Sequence, residues 1–235
     1  MKRIIVDRHI FEHFPDFKRG IVVVADIENS PHNSAVAELL VGEIAAKLGK
    51  NSVEHEFIKA WDAAHARFGS NPNKFPPSIK SLLKRIDKGG TLPFINTAVA
   101  LFNYISIKYL IPCGADDIDR VEGNLILGPA AGNEVFVPLG GGETENPKPG
   151  EVILYDDRTL NVMCRRWNWR NGDCTKITES TRRLVINLDG ISPVPRSLIE
   201  EARDELAALL VQQCGAKLTA DVLSTDKNEV EIELI

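Results

Sequence analysis

Apolar positions along the 235-residue chain change their period part-way, and that change predicts the order of its elements. Residues 2–7 and 20–27 read as strands, the second through the nearly unbroken run Ile21-Val22-Val23-Val24-Ala25. A short segment at 10–14, closed by Pro15, separates them. Apolar residues then recur every third or fourth position over 33–48, 54–68, 76–88 and 95–110, which predicts four helices ended by glycine or by Pro112. Beyond Pro112 the texture turns to short strands at 124–127, 135–139, 152–155, 161–169 and 184–188. A long amphipathic helix from Ser192 to about Gln213 follows, and 217–223 with 229–234 alternate like a closing hairpin. No repeat, low-complexity run or linker divides residues 1–235, so one α+β domain is expected.

The most distinctive stretch is Cys164-Arg165-Arg166-Trp167-Asn168-Trp169-Arg170, which holds two of the three tryptophans. Alternation along a strand would put Arg165, Trp167 and Trp169 on one face and Arg166, Asn168 and Arg170 on the other. Asn171-Gly172 would then turn the chain back. Such a strand is either core, with solvated arginines, or a binding strand for an anionic or stacked ligand. Charge bears on the choice. Between Arg158 and Arg183 seven basic residues meet two acidic ones, a local +5 within a chain of net charge −5. A positive island on an acidic body suits a specific anionic partner better than general adhesion to nucleic acid. Four scattered cysteines without a Cys-x-x-Cys pair point to free thiols and a reducing, cytoplasmic setting. Neither a signal peptide nor a membrane span is expected.

Standard catalytic constellations do not assemble from the spacing. There is no Gly-x-Ser-x-Gly elbow, and Gly140-Gly141-Gly142-Glu143 lacks the Gly-Lys-Ser/Thr ending that grips phosphate, so it reads as a flexible connector. His9 and His13 have helical spacing without further ligands, and all five histidines precede position 66. The second half offers carboxamides, hydroxyls and guanidiniums instead: Asn168, Thr175, Thr178, Asn187 and the arginines, with Asn96 and Asn103 before them. Such groups position a water and stabilise an oxyanion, enough for a reactive ester. Asp116, Asp117 and Asp119 form an acidic cluster that reads equally as a capped helix start over 116–121.

Leu92-Pro93-Phe94-Ile95-Asn96, Leu101-Phe102-Asn103-Tyr104 and Pro112-Cys113-Gly114-Ala115-Asp116-Asp117 resemble the tRNA-binding, editing B-three/B-four module of the phenylalanyl-tRNA synthetase beta subunit. Val137-Pro138-Leu139-Gly140, Pro149-Gly150-Glu151-Val152, Cys164 to Arg170 and Thr175-Lys176-Ile177-Thr178 resemble its free-standing relatives more closely, with residues 70–215 as the best-matching core. The resemblance implies a three-layer α+β fold with a β-sandwich of unusual topology and N-terminal helices. It also implies tRNA as partner, and hydrolysis of mischarged aminoacyl-tRNA by a positioned water, without metal, cofactor or covalent nucleophile. Asn103 and Asp117 are then the expected catalytic residues, with Asn96, Gly114, Arg165, Arg166, Asn168, Thr175, Thr178 and Asn187 holding the substrate. Gly114 stands where many synthetases have a pocket histidine, and Asn187 where they have a glutamate that accepts the tyrosine hydroxyl. Both departures speak against tyrosine. A non-catalytic RNA-binding module and a small-molecule binder stay open beside the hydrolase.

Overall fold

The computed structural model describes residues 2–232. In chain order its elements are β1 (Lys2–Val6), α1 (Arg8–His13), β2 (Lys18–Asp26), α2 (Ser34–Lys47), α3 (Glu56–Arg67), α4 (Ser78–Asp87), α5 (Thr97–Tyr109), β3 (Cys113–Asp117), β4 (Leu125–Pro129), β5 (Val152–Asp156), β6 (Val162–Arg165), β7 (Arg170–Asn171), β8 (Leu184–Gly190), α6 (Arg196–Cys214), β9 (Lys217–Leu223) and β10 (Glu229–Ile232). Asparagines begin two of the helices: the Asn33 and Asn96 side chains accept from the backbone N–H groups of Val36 and Val99. Among the described residues no helix is long and apolar enough to cross a membrane.

The strands form two sheets. One runs β10-β1-β4-β5-β6-β7, with β1 and β4 parallel and the other pairs antiparallel. The other runs β3-β8-β2-β9, antiparallel throughout. Alternation along β2 and β8 supplies both faces of this second sheet. Ile21, Val23 and Val185 point toward the first sheet, where they join Ile4, Val6, Leu127, Leu154 and Met163 in one buried cluster. Val22, Val24, Leu184, Ile186 and Leu188 point the other way, into a cluster with α2, α5 and α6. The result is three layers, sheet on sheet on helices, as the resemblance implied.

Several expected elements form differently. The 217–223 and 229–234 segments do not pair as a hairpin: β9 adds to β2 in one sheet and β10 to β1 in the other, while Leu234 lies outside the described residues. Residues 135–139 make only isolated bridges. The capped start expected at 116–121 is a single 3-10 turn, Ile118–Arg120, capped by Asp117, which with Asp116 also ends β3. In the glycine run at 140–142, Gly140 lines a cleft and its amide donates to the Asp173 carboxylate at 3.1 Å.

The largest difference falls at Cys164 to Arg170. β6 ends at Arg165, and the chain reverses through Arg166 and Trp167, both left-handed at φ 49° and 66°. Side chains rarely adopt this region, at a cost on the order of 1–3 kcal/mol each. Tertiary contacts offset that cost. Trp167, 1% exposed, meets Phe14, Phe17 and Trp61 edge-on at 4.9, 5.1 and 5.2 Å. Its backbone amide donates to Val152 at 2.6 Å. Arg166 stacks on Phe75 at 3.8 Å from the ring centre. The turn therefore lies four residues before Asn171-Gly172, and Asn171 sits within β7, opposite Cys164. Gly172 serves close approach instead, because a Cβ there would lie 2.5 Å from the Val162 carbonyl. Trp167→Ala is expected to destabilise the protein by about 3–5 kcal/mol, which chemical denaturation followed by far-UV circular dichroism would measure.

Candidate active site between the sheets

On β2 and β8, the face directed into the sandwich begins as valine and isoleucine and ends polar. Asn187 continues the Val185 face of β8, and Asp189 continues Asn187. Gly114 and Asp116 lie opposite Asn187 and Val185 on β3, and Arg19 lies opposite Asp189 on β2. The same alternation that builds the core thus gathers Arg19, Gly114, Asp116, Asn187 and Asp189 at one end of it. Apolar side chains do not close this end, and it holds a chamber of about 60 Å³ with Leu154, Cys164, Trp167 and Asn168 as the far wall.

The chamber's polar groups are partly paired. Arg19, 2% exposed, donates through Nε and Nη2 to the two Asp189 oxygens at 2.7 and 2.8 Å. Its Nη1 has no partner. Asn168 accepts from His65 Nε2 at 3.1 Å, leaving its Nδ2 unpaired, and Asn187 Oδ1 is unpaired as well. Burial pulls the His65 pKa down to about 4, so the imidazole is neutral at pH 7 and its Nε2–H fixes the Asn168 amide. With Trp167 Nε1, three donors and an acceptor therefore stand buried without partners on residues that line one small space, each normally a cost of about 1–3 kcal/mol.

A larger cleft of about 460 Å³ adjoins the chamber and shares Ala115, Asp116 and Asn171 with it. Its walls come from Val99, Phe102 and Asn103 on α5, Leu139 and Gly140, Gly172 and Asp173, and Thr175 to Ile177. Asp116 stands at the junction. Burial raises its pKa to about 6, against the opposing effects of the Thr175 hydroxyl, 2.6 Å away, and of Arg19.

The expected site residues divide accordingly. Gly114, Asn168 and Asn187 line the chamber, and Asn103 and Thr175 the cleft. Asp117 is spent elsewhere: alternation turns it away from Asp116, and its carboxylate accepts from the Asp119 amide at 3.0 Å and the Thr181 hydroxyl at 2.8 Å. Asn96 is a buried helix cap. Thr178 bonds to Ser180 and Thr181. Arg165 is buried in an ion pair with Glu151 at 2.8 Å, with Glu145 as a second partner. Arg166, stacked on Phe75, lies 3.6 Å from Glu151. These five hold structure and line neither space.

Arg19, His65, Asp116 and Asp189 escaped the list of site residues. A trace existed for two of them, since Arg19 and Asp189 are charges at the ends of otherwise apolar strands. The cysteines are not nucleophiles here: burial raises the thiol pKa of Cys113 and Cys164 well above its usual range, so both stay protonated. The basic island is also smaller than its sequence suggests. Arg158, Arg165, Arg166, Lys176 and Arg183 each have an acidic partner, whereas Arg170 and Arg182 have none within 4 Å among the described residues. Conversely, His9 and His13 do have a third candidate ligand, Glu12, but all three are exposed on the short α1.

The B3/4 domain family model matches residues 60–215. The phenylalanine–tRNA ligase beta subunit of Fusobacterium nucleatum is 29% identical over 112 residues, which take in 48% of this chain and 13% of that subunit. The chain thus spans only a small part of that relative's length. Among solved structures, an N-terminal fragment of the phenylalanyl-tRNA synthetase beta subunit from Pyrococcus horikoshii matches at 13% identity with a TM-score of 0.45, over 91% of this chain and 49% of that one. The family match starts within α3, so β2 and its Arg19 lie outside it.

The raised Asp116 pKa has a consequence for stability. Well below the ordinary Asp pKa of 3.8 the carboxyl is protonated in folded and unfolded chains alike; as pH rises from there toward 6 the unfolded chain releases its proton first and the fold loses stability. Asp116→Asn is expected to raise the unfolding free energy at pH 7.5, by on the order of 2 kcal/mol, and to change it little at pH 4. Urea titrations at the two pH values check this.

Proposed function

The chain belongs to the B3/4 domain family, and from that premise we propose that it binds tRNA and hydrolyses the ester of a mischarged aminoacyl-tRNA. The observation that carries this reading is a buried carboxyl with a pKa near 6 at the junction of a broad cleft and a small polar chamber. In the proposed reaction the terminal adenosine lies in the cleft, against the apolar side of α5 and the glycine-lined wall. The aminoacyl side chain enters the chamber, which brings the ester carbonyl beside Asp116.

The Asp116 carboxylate takes a proton from a water, whose oxygen attacks the ester carbon. The Asn103 amide faces the same cleft and supplies a donor to the developing oxyanion. When the carbon–oxygen bond to the ribose breaks, Asp116 returns the proton to the departing ribose oxygen. Free amino acid and uncharged tRNA result. A base with a pKa near 6 is ionised at neutral pH and still basic enough to assist. Arg170 and Arg182, the unpaired arginines of the basic island, are the proposed phosphate contacts.

Deacylation of mischarged tRNA, corrected for the uncatalysed rate, should rise with pH through about 6 and level off above it, following the Asp116 carboxyl. Asp116→Asn should abolish that limb and lower kcat by at least about a hundredfold with little change in tRNA affinity. Persistent tRNA binding with no hydrolysis of any aminoacyl-tRNA would leave a binding module and sink the enzyme reading. Arg170→Ala with Arg182→Ala should weaken tRNA binding and reduce the slope of log affinity against log salt by about one per arginine, which fluorescence anisotropy across a salt series would read.

A further inference from the structure

The chamber carries more information than its position. Its volume is about 60 Å³, whereas a cavity that accepts benzene is about 150 Å³. An aromatic side chain does not fit. The wall is also unlike an apolar specificity pocket, because its residues carry buried polar atoms without partners: Arg19 Nη1, Asn168 Nδ2 and Asn187 Oδ1, with Trp167 Nε1 as a further donor. Arg19, Asn168 and Asn187 are 2%, 7% and 8% exposed, so bulk water does not satisfy them.

Charge narrows the occupant further. Arg19 is neutralised by Asp189 through two hydrogen bonds, and the remaining ionisable carboxyl facing the space is Asp116. A cationic side chain would meet the Arg19 guanidinium. An anionic one would be buried beside Asp116 and Asp189 with no cation left over, a costly arrangement. A neutral group that both accepts and donates suits the donors of Arg19 and Asn168 and the acceptor of Asn187: its oxygen accepts from the first two, and its own proton goes to Asn187. We propose that the chamber is a side-chain subsite for a short aminoacyl group ending in a carboxamide or hydroxyl, the class of asparagine, serine and threonine. This rests on the aminoacyl-ester reading above.

Gly114 makes the assignment testable. It faces Asn187 across the β3–β8 ladder, and a Cβ placed there has no atom within 4 Å. Its φ is not left-handed, so a β-branched side chain suits the strand and projects into the empty space. Gly114→Val should therefore fill the chamber and leave the fold intact. Asn187→Leu removes the acceptor at nearly constant size.

The experiment uses the full chain and two readouts. The first is binding of non-hydrolysable 3′-aminoacylamino-adenosines carrying asparagine, serine, tyrosine or phenylalanine, by calorimetry. The second is deacylation of tRNAs charged with the same amino acids. The asparaginyl and seryl analogues should bind at least about tenfold tighter than the aromatic ones. Gly114→Val should remove this binding at unchanged melting temperature, and Asn187→Leu should erase the preference for asparaginyl. If the short polar analogues bind with this preference while no ester is hydrolysed, the chamber assignment stands and the hydrolase reading falls. If aromatic esters are hydrolysed best, the hydrolase stands and the assignment is overturned. It is equally overturned if no analogue binds, or if Gly114→Val binds like the wild type.

Discussion

Arg19 and Asp189 form a bidentate ion pair sealed between two sheets, and the polar end of the sandwich is arranged around it. Removing either partner alone would strand a buried charge, typically at a cost of 3–5 kcal/mol, about half the stability of an ordinary domain. The pair ties β2 to β8, the two central strands of the second sheet. It also keeps apolar packing from closing that end of the sandwich. An aliphatic pair in the same place would extend the core and leave no chamber.

The far wall depends on a different device. Two consecutive left-handed residues, Arg166 and Trp167, reverse the chain where a straight strand would have carried Trp167 and Trp169 along one edge. The reversal sends Trp167 into an aromatic cluster with Phe14, Phe17, Trp61 and Phe68, while Trp169 meets Phe75 nearer the surface. It also lowers Asn168 onto His65, and the neutral imidazole orients the amide so that its NH₂ is left for the chamber. Backbone strain of this kind persists only where packing over-determines it, and here it aims a polar side chain. The stretch is therefore core and site at once: the tryptophan is structural, the neighbouring asparagine faces the ligand space, and Arg165 and Arg166 hold the turn through Glu151 and Phe75.

The balance of charges follows the same logic. A run of arginines in sequence looks like a surface for a polyanion, but burial without pairing is costly, so the fold supplies Glu145 and Glu151 to the buried Arg165 and the partly buried Arg166, while Arg158 and Arg183 meet Glu122 and Asp119 at the surface. Arg170 and Arg182 have no acidic partner within 4 Å among the described residues, and Arg170 adjoins in β7 the Asn171 that lines both spaces.

Much was legible in the residues alone. Helical periodicity placed the major helices within a few residues, and apolar runs located β2 and β8. The motifs around Asn103, Gly114 and Cys164 pointed to the family and to three of the chamber's residues. Other features depend on which distant segments meet. β9 and β10 look like a hairpin because alternation specifies an amphipathic strand but not its partner; long-range packing sent them to different sheets. Asp116 and Asp117 are indistinguishable as a pair of letters, and only the strand's register decides which enters the site and which caps a turn. Arg19, 170 residues from Asp189, and His65, 103 from Asn168, carry no local sign of their partners. Local sequence determined the elements and their faces, because those depend on near neighbours and backbone sterics. Tertiary structure alone decided the chamber, because its polarity and raised carboxyl pKa come from burial, which exists only once the sheets have closed on one another.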